Sequence, residues 1–205
     1  MEPHGQVGKV IALPLQPFPA LLWWRAAAES AARIDLQAHF IKQSPRNRIT
    51  LANANGDQRF TLPVHRPSGV KCSQFEVALV DDGWPRRLLQ TLRTCYGSAP
   101  YFEHYFDELA AMLEKPYTDL GAFNAASISW SAEALGVKVP LPVSTENPAS
   151  VSNLAARGHS FGGARWDEPP YVRVFSDRTD FVQGVSVLDA LFHLVAARRN
   201  IALLM

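Results

Sequence analysis

Apolar positions change their period several times along the chain, and each change predicts an element. "KVIAL" (9–13) is a short β-branched run ended by Pro14, which predicts a buried strand. The "LPLQPFP" segment that follows suits neither a helix nor a central strand, because proline fixes φ and removes a donor. Alanine and leucine in "ALLWWRAAAESAARI" then predict a helix, with Pro19 near its start. "IDLQAHFIKQ" is mixed and leans to strand, and Pro45 breaks any helix there. "RNRITLANANGDQRFTLPV" predicts a hairpin. Ile49 and Leu51 alternate with polar residues, Asn55-Gly56 offers turn chemistry, and Phe60, Leu62 and Val64 return. The spacing suggests a loop somewhat longer than two residues. "QFEVALV" (74–80) alternates as a further strand.

The middle of the chain switches to helical spacing. Leu88, Leu89, Leu92 and Tyr96 share one face of "WPRRLLQTLRTCYG" (84–97), and Gly97 is placed to cap it. "APYFEHYFDELAAMLEKP" (99–116) has Pro100 near its start and Pro116 at its stop, and "DLGAFNAASISWSAEALG" (119–136) ends at Gly136. A proline-broken connector and a long loop, "RGHSFGGARWDEPP", follow. "YVRVF" (171–175) reads as strand and "SVLDALFHLVAAR" (186–198) as an amphipathic helix. No repeat or domain boundary interrupts residues 1–205, so the expected architecture is a single α+β domain with a small mixed or antiparallel sheet and packed helices.

Composition changes this picture little. Of the 205 residues, 47% are hydrophobic and 19% charged, enough for a sizeable core. A net charge of +1 argues against a large electrostatic footprint for duplex DNA or for an anionic membrane, a local basic pocket aside, so no nucleic-acid partner is expected. Cys72 and Cys95 are too few for a disulfide framework and read as reduced thiols, which suggests the cytoplasm. Prolines divide "VIALPLQPFPALLWW" into runs too short to cross a bilayer, so no transmembrane segment is expected. No Cys/His spacing suggests a metal, no cofactor is implied, and no GxGxxG or Walker pattern occurs. Ser160 in "GHSFGG" lacks the strand that a nucleophile elbow requires.

Chemistry concentrates in "KQSPRNR" (42–48). If this stretch is extended, Arg46 and Arg48 share a face and Asn47 lies on the other. Two guanidinium forks suit a carboxylate or phosphate; a solvated strand edge that resists pairing is the structural alternative. His39 and His104 are candidate general bases, as is His193, although any of them suits a structural role. Cys95 shows no neighbouring base that would make it a nucleophile.

In order along the chain, "LPLQPFP", "FIKQSPRNRITL", "ANGDQRFTLPV", Trp84, "CYGSAPYFEHYFDEL", Phe123-Asn124, "YVRVF" and "FVQGVSVLDALF" resemble the WbqC-like proteins. The likeness runs from residue 9 to about residue 195. It implies a bacterial protein; some members are encoded among genes for O-antigen and other surface polysaccharides, and some are described as glycine or aminoacyl transferases acting on amino sugars. Matched by position, the resemblance marks Gln16, Pro17, Lys42, Arg46, Asn47, Arg48, Tyr96, Pro100, Asn124, Tyr171 and Asp189. The chain departs from the family pattern at His39-Phe40, Pro45, Ile49, Arg86-Arg87 and Gly184-Val185-Ser186.

The expected function is therefore glycine, aminoacyl or acyl transfer to a nucleotide-activated or lipid-linked amino sugar. Lys42 would stabilise oxyanion charge and His39 or His104 would act as base. Gln16, Arg46, Asn47, Arg48, Tyr96, Asn124 and Tyr171 would bind substrate. A binding module for an anionic sugar or nucleotide, without turnover, is the alternative.

Overall fold

Ile11–Pro14 (β1) and Ala32–Asp35 (β2) run parallel, in register from Ile11 opposite Ala32 to Pro14 opposite Asp35, and Pro142–Val143 (β7) adds a third parallel strand beyond β2. The computed structural model describes residues 11–29, 31–66, 70–140, 142–143, 160–161, 164–165, 169–180 and 183–194. The link from β1 to β2 is Leu21–Ala27 (α1), which buries Leu21, Leu22, Trp23, Trp24 and Ala26. Trp23 Nε1 donates to the Pro14 carbonyl at 3.0 Å, tying the helix to the strand it leaves. Helical propensity in "ALLWWRAAAESAARI" predicts a longer helix, but the chain turns after Ala27 and its last residues become β2. Alternate burial of Ala32 and Ile34 against β1 outweighs the high helical propensity of alanine, which amounts to less than about 1 kcal/mol per residue.

The predicted hairpin forms from Arg48–Asn53 (β3) and Gly56–Thr61 (β4). Its loop is shorter than the spacing suggests, only Ala54 and Asn55, because Asn53 pairs directly with Gly56. The Asn53 side chain accepts from the Asn55 amide at 2.8 Å, and Gly56, at φ +109°, adopts a conformation closed to most side chains as β4 begins. "QFEVALV" is not one strand. Gln74–Glu76 winds into a 3₁₀ turn, and only Ala78–Leu79 (β6) pairs, with Val64–His65 (β5). Reciprocal capping holds the turn, the Glu76 carboxylate accepting from the Ser73 amide at 2.7 Å. Gln74 is buried and donates to the Leu15 carbonyl at 3.0 Å.

Trp84–Tyr96 (α2), Phe102–Leu113 (α3) and Leu120–Leu135 (α4) match the three predicted central helices closely. Asp119 caps α4 by accepting from the Ala122 amide at 2.7 Å, and Gly136 stops it at φ +68°. Packed against α3, the 3₁₀ turn and Val187–His193 (α5), α4 buries Leu120, Phe123, Ile128, Ala132 and Leu135, with Asn124, Ser127 and Ser131 as a buried polar stripe. The predicted last helix matches α5 at its start but is shorter, ending at His193 where Leu194 turns extended; residues 195–198 lie outside the described residues. In the long loop, Ser160–Phe161 (β8) and Ala164–Arg165 (β9) pair as a short hairpin that the sequence did not suggest. "YVRVF" forms no strand: the chain turns at 174–178, and the Val174 amide donates to a histidine nitrogen instead of a ladder. The α+β class holds, with its strands divided among a three-stranded parallel sheet and separate antiparallel pairs.

Candidate functional site

A cavity of about 440 Å³ opens where the end of β3, the last turn of α2, the 170–180 segment and α5 meet. Ala52 and Asn53 come from β3, Cys95 and Tyr96 from α2, and Asp189 and His193 from α5. Tyr96 sets the junction. It is 1% exposed, its hydroxyl accepts from the Ala52 amide at 2.8 Å, and its ring lies 5.2 Å from Phe192 and 5.8 Å from His193. Ser186 caps α5, accepting from the Leu188 amide at 3.3 Å while its hydroxyl donates to the Phe18 carbonyl at 3.0 Å. The start of α5 is thereby fixed to the proline-rich segment, whose Phe18 is held at φ +44°.

Asp189 is the charged centre of the cavity, with no solvent-exposed surface. Its Oδ1 accepts from the Tyr171 hydroxyl at 2.5 Å and from Arg173 Nε at 2.7 Å. Arg173 Nη2 also donates to the Tyr171 hydroxyl at 3.0 Å, and the guanidinium lies 4.6 Å from the Tyr171 ring centre. The other carboxylate oxygen, Oδ2, is buried with no hydrogen-bond partner among the described residues. One oxygen is therefore clamped and the other is buried without a partner among the described residues, on a residue that lines the cavity.

His193 sits one helical turn beyond Asp189. Its Nε2 accepts from the Val174 amide at 3.0 Å, so its proton is on Nδ1, which lies 2.8 Å from the Asp189 carbonyl oxygen. With both nitrogens engaged, the ring orients the 170–180 wall rather than offering a free base. Burial, reinforced by the charge of Asp189, pushes the Cys95 thiol up to about 11, and the same two causes hold the Tyr96 phenol well above its usual range. Cys95 is thus a protonated thiol at neutral pH and a poor nucleophile. We expect its alkylation by iodoacetamide to stay slow through pH 9. Because the folded-state value lies above the ordinary 9.0, the folded protein should lose stability as pH rises between about 9 and about 11. Thiol titration followed by mass spectrometry, alongside denaturant melts across that range, checks both.

The sequence-predicted residues divide into separate groups. Tyr96 and Tyr171 line the cavity. Arg46, Asn47, Arg48, Asn124 and Gln16 belong to a polar network under the basic loop and do not line it. Arg46 donates to the His39 carbonyl, and its own carbonyl accepts from Asn124 Nδ2 at 2.8 Å. Burial lowers the Arg46 guanidinium from its ordinary value, an effect partly offset by nearby Asp35. Arg48 Nη1 donates to the Gln43 carbonyl at 3.2 Å, Asn47 Nδ2 to the Leu62 carbonyl at 3.4 Å, and Asn124 Nδ2 also to Gln74 Oε1 at 2.6 Å. The Gln16 carbonyl lies 3.5 Å from the Ser127 hydroxyl. The arginines of "KQSPRNR" thus close the loop onto its own carbonyls. Asn47 Oδ1, Asn124 Oδ1 and Arg48 Nε are buried there without partners among the described residues. Lys42 and His39 are exposed on the loop, and His104 is exposed on α3 beside Tyr105.

Arg173 escaped the sequence reading, and His193 stood among several equivalent histidines. The signal was present in two spacings. Tyr171 and Arg173 alternate on one side of an extended segment, and Asp189 and His193 lie at i,i+4 on a helix. Among the described residues, no group of three or more His, Cys, Asp or Glu could hold a metal ion, and no helix is long and apolar enough to cross a membrane.

No curated protein and no solved structure matches this chain. The model of the WbqC-like protein family matches residues 25–166, a span that holds the basic loop, the β3–β4 hairpin and helices α2 to α4, and stops short of Tyr171, Arg173, Asp189 and His193. That span is more than half of the chain, and the chain belongs to the WbqC-like protein family.

Proposed function

We propose that this chain transfers a glycyl, aminoacyl or acyl group to the amine of an amino sugar in the assembly of bacterial surface polysaccharide, with the acceptor in the Asp189 cavity. Family membership supports the broad class. The observation that carries the reading is the buried Asp189 carboxylate, one oxygen of which has no partner among the described residues, in the wall of a cavity large enough for a sugar. That oxygen has no exposed surface in this structure, so surrounding side chains shift as the sugar enters, and it then accepts a hydrogen bond from the acceptor's amine and orients its lone pair. As the amine attacks an activated ester or thioester, the C–N bond forms and the C–O or C–S bond breaks. The nitrogen becomes strongly acidic as it gains positive charge, so a carboxylate suffices to take its proton and deliver it to the leaving group. Chemistry then rests on Asp189 rather than on the exposed Lys42, His39 and His104. Arg173 and Tyr171 hold the carboxylate in place.

The test is product formation, followed by mass spectrometry, from nucleotide-linked amino sugars and activated acyl or aminoacyl donors. Asp189→Asn, which keeps the shape of the side chain, should lower turnover about a hundredfold. Turnover equal to wild type in that variant defeats the assignment.

One observation favours a second reading, a module that binds an anionic sugar or nucleotide without turnover. Cys95 is a protonated thiol, His193 has both nitrogens engaged and Asp189 is ion-paired to Arg173, which leaves the cavity with few groups free to move a proton. Calorimetric binding of the same sugars, with no product in the assay above, selects this reading.

A further inference from the structure

We infer that the edge formed by Ile41-Lys42 and Val70-Lys71 docks on an anionic phospholipid surface. This rests on surface chemistry alone and is independent of what the cavity binds. Two chain segments meet antiparallel at the His39–Ser73 bridge, where the Phe40 amide donates to the Cys72 carbonyl at 2.9 Å. Counting out from that antiparallel bridge, Ile41 falls level with Lys71 and Lys42 with Val70, so each segment brings one aliphatic residue and one lysine to this end of the pair. In each segment an outward aliphatic side chain precedes an exposed lysine: Ile41 is 50% exposed and Val70 58%. Side chains of this kind are normally interior. The loop beyond Ile41 is held in place, since the Ser44 hydroxyl donates to the Ile41 carbonyl at 2.6 Å and Arg48 donates to the carbonyl of Gln43, itself at φ +57°.

The charges around this edge are unbalanced. Lys42 and Lys71 are exposed, and the half-buried guanidinium groups of Arg46 and Arg48 lie in the same loop, with His39 exposed beside them. The acids that face them are Asp35, which acts on Arg46, and Glu76, whose carboxylate is bonded to the Ser73 amide and feels His39. A locally positive edge therefore stands on a chain whose net charge is only +1. Anionic lipid satisfies both halves of the pattern: headgroup phosphates take the lysines, and the acyl boundary takes the aliphatic side chains. A nucleic acid matches the charge but offers nothing to two outward aliphatic side chains.

The experiment is co-sedimentation of the full chain with phosphatidylcholine vesicles, with and without phosphatidylglycerol, at low and high salt. Binding should require phosphatidylglycerol and weaken with salt. Lys42→Ala with Lys71→Ala should lower the partition coefficient by roughly 25-fold, at about fivefold per lysine, while Lys→Arg at both positions retains binding. Ile41→Ser with Val70→Ser should also weaken it, and all these variants should keep the wild-type circular dichroism spectrum, since the four positions are exposed. Absence of sedimentation, equal sedimentation with neutral vesicles, or wild-type binding by both the alanine and the serine double variants overturns the inference. Retention on duplex DNA in preference to vesicles overturns it in favour of a nucleic acid.

Discussion

Arg173→Met should cost about 3–5 kcal/mol of folding stability, because it leaves a buried carboxylate without its cation. The Arg173 side chain is 8% exposed and its partner Asp189 is fully buried, with 2.7 Å between Nε and Oδ1. Methionine fills much of the same volume, so the loss reports charge rather than a cavity. Tyr171 would still donate to Asp189, but a neutral hydroxyl does not compensate an anion removed from water. Adding Asp189→Leu to that variant should recover a large part of the loss, since an apolar pair of similar volume often matches a buried ion pair. Urea denaturation of the single and double variants measures this. A single-variant loss below about 1 kcal/mol, the range of an exposed pair, would show that the carboxylate is solvated and not the buried centre described here.

Phe123→Ala should be comparably damaging, by about 3–5 kcal/mol. Phe123 is fully buried on α4, with its ring 4.9 Å from Trp84, 5.3 Å from Tyr117 and 6.1 Å from Phe18, each close to edge-on. Removing the ring leaves a void bounded by other aromatic side chains, and the edge-to-face contacts are lost in addition to the buried area. The effect should reach the cavity, because Phe18 accepts from Ser186 at the cap of α5. Val172→Ala is the control: Val172 is 83% exposed at the cavity wall, and its truncation should change stability by less than about 0.5 kcal/mol. Thermal melts of both variants, with the near-ultraviolet spectrum as a measure of aromatic packing, decide whether this cluster couples the two regions.

The central helices were readable because their information is local. In α2, Leu88, Leu92 and Tyr96 repeat on one face, and Pro85 and Gly97 mark its ends. In α4, Asp119 and Gly136 do the same for a helix buried on most sides. The elements that misled are short ones whose conformation is fixed by distant partners. Ala32–Asp35 carries alanine of high helical propensity yet becomes a strand because β1 pairs with it across some twenty residues of sequence. "QFEVALV" alternates like a strand, but the capping of Ser73 by Glu76 and the burial of Gln74 against Leu15 wind its first half into a 3₁₀ turn. Residues 171–175 read as strand, and the pull of Asp189 on Tyr171 and Arg173 gives them a different task.

The candidate site divides along the same line. Residue types alone made "KQSPRNR" the most conspicuous chemistry in the chain, and a resemblance brought Tyr171 and Asp189 into view. What the sequence by itself determined was the α+β class, the helical middle and the hairpin, since periodicity, prolines and glycines act over one or two turns of chain. Only the tertiary structure decided that the arginines fold back onto loop carbonyls and that residues 52, 96, 171, 173, 189 and 193 enclose one cavity. Whether a charged side chain faces a cleft or its own backbone depends on which groups it is desolvated beside. That environment is assembled from segments more than a hundred residues apart and has no counterpart in any local pattern.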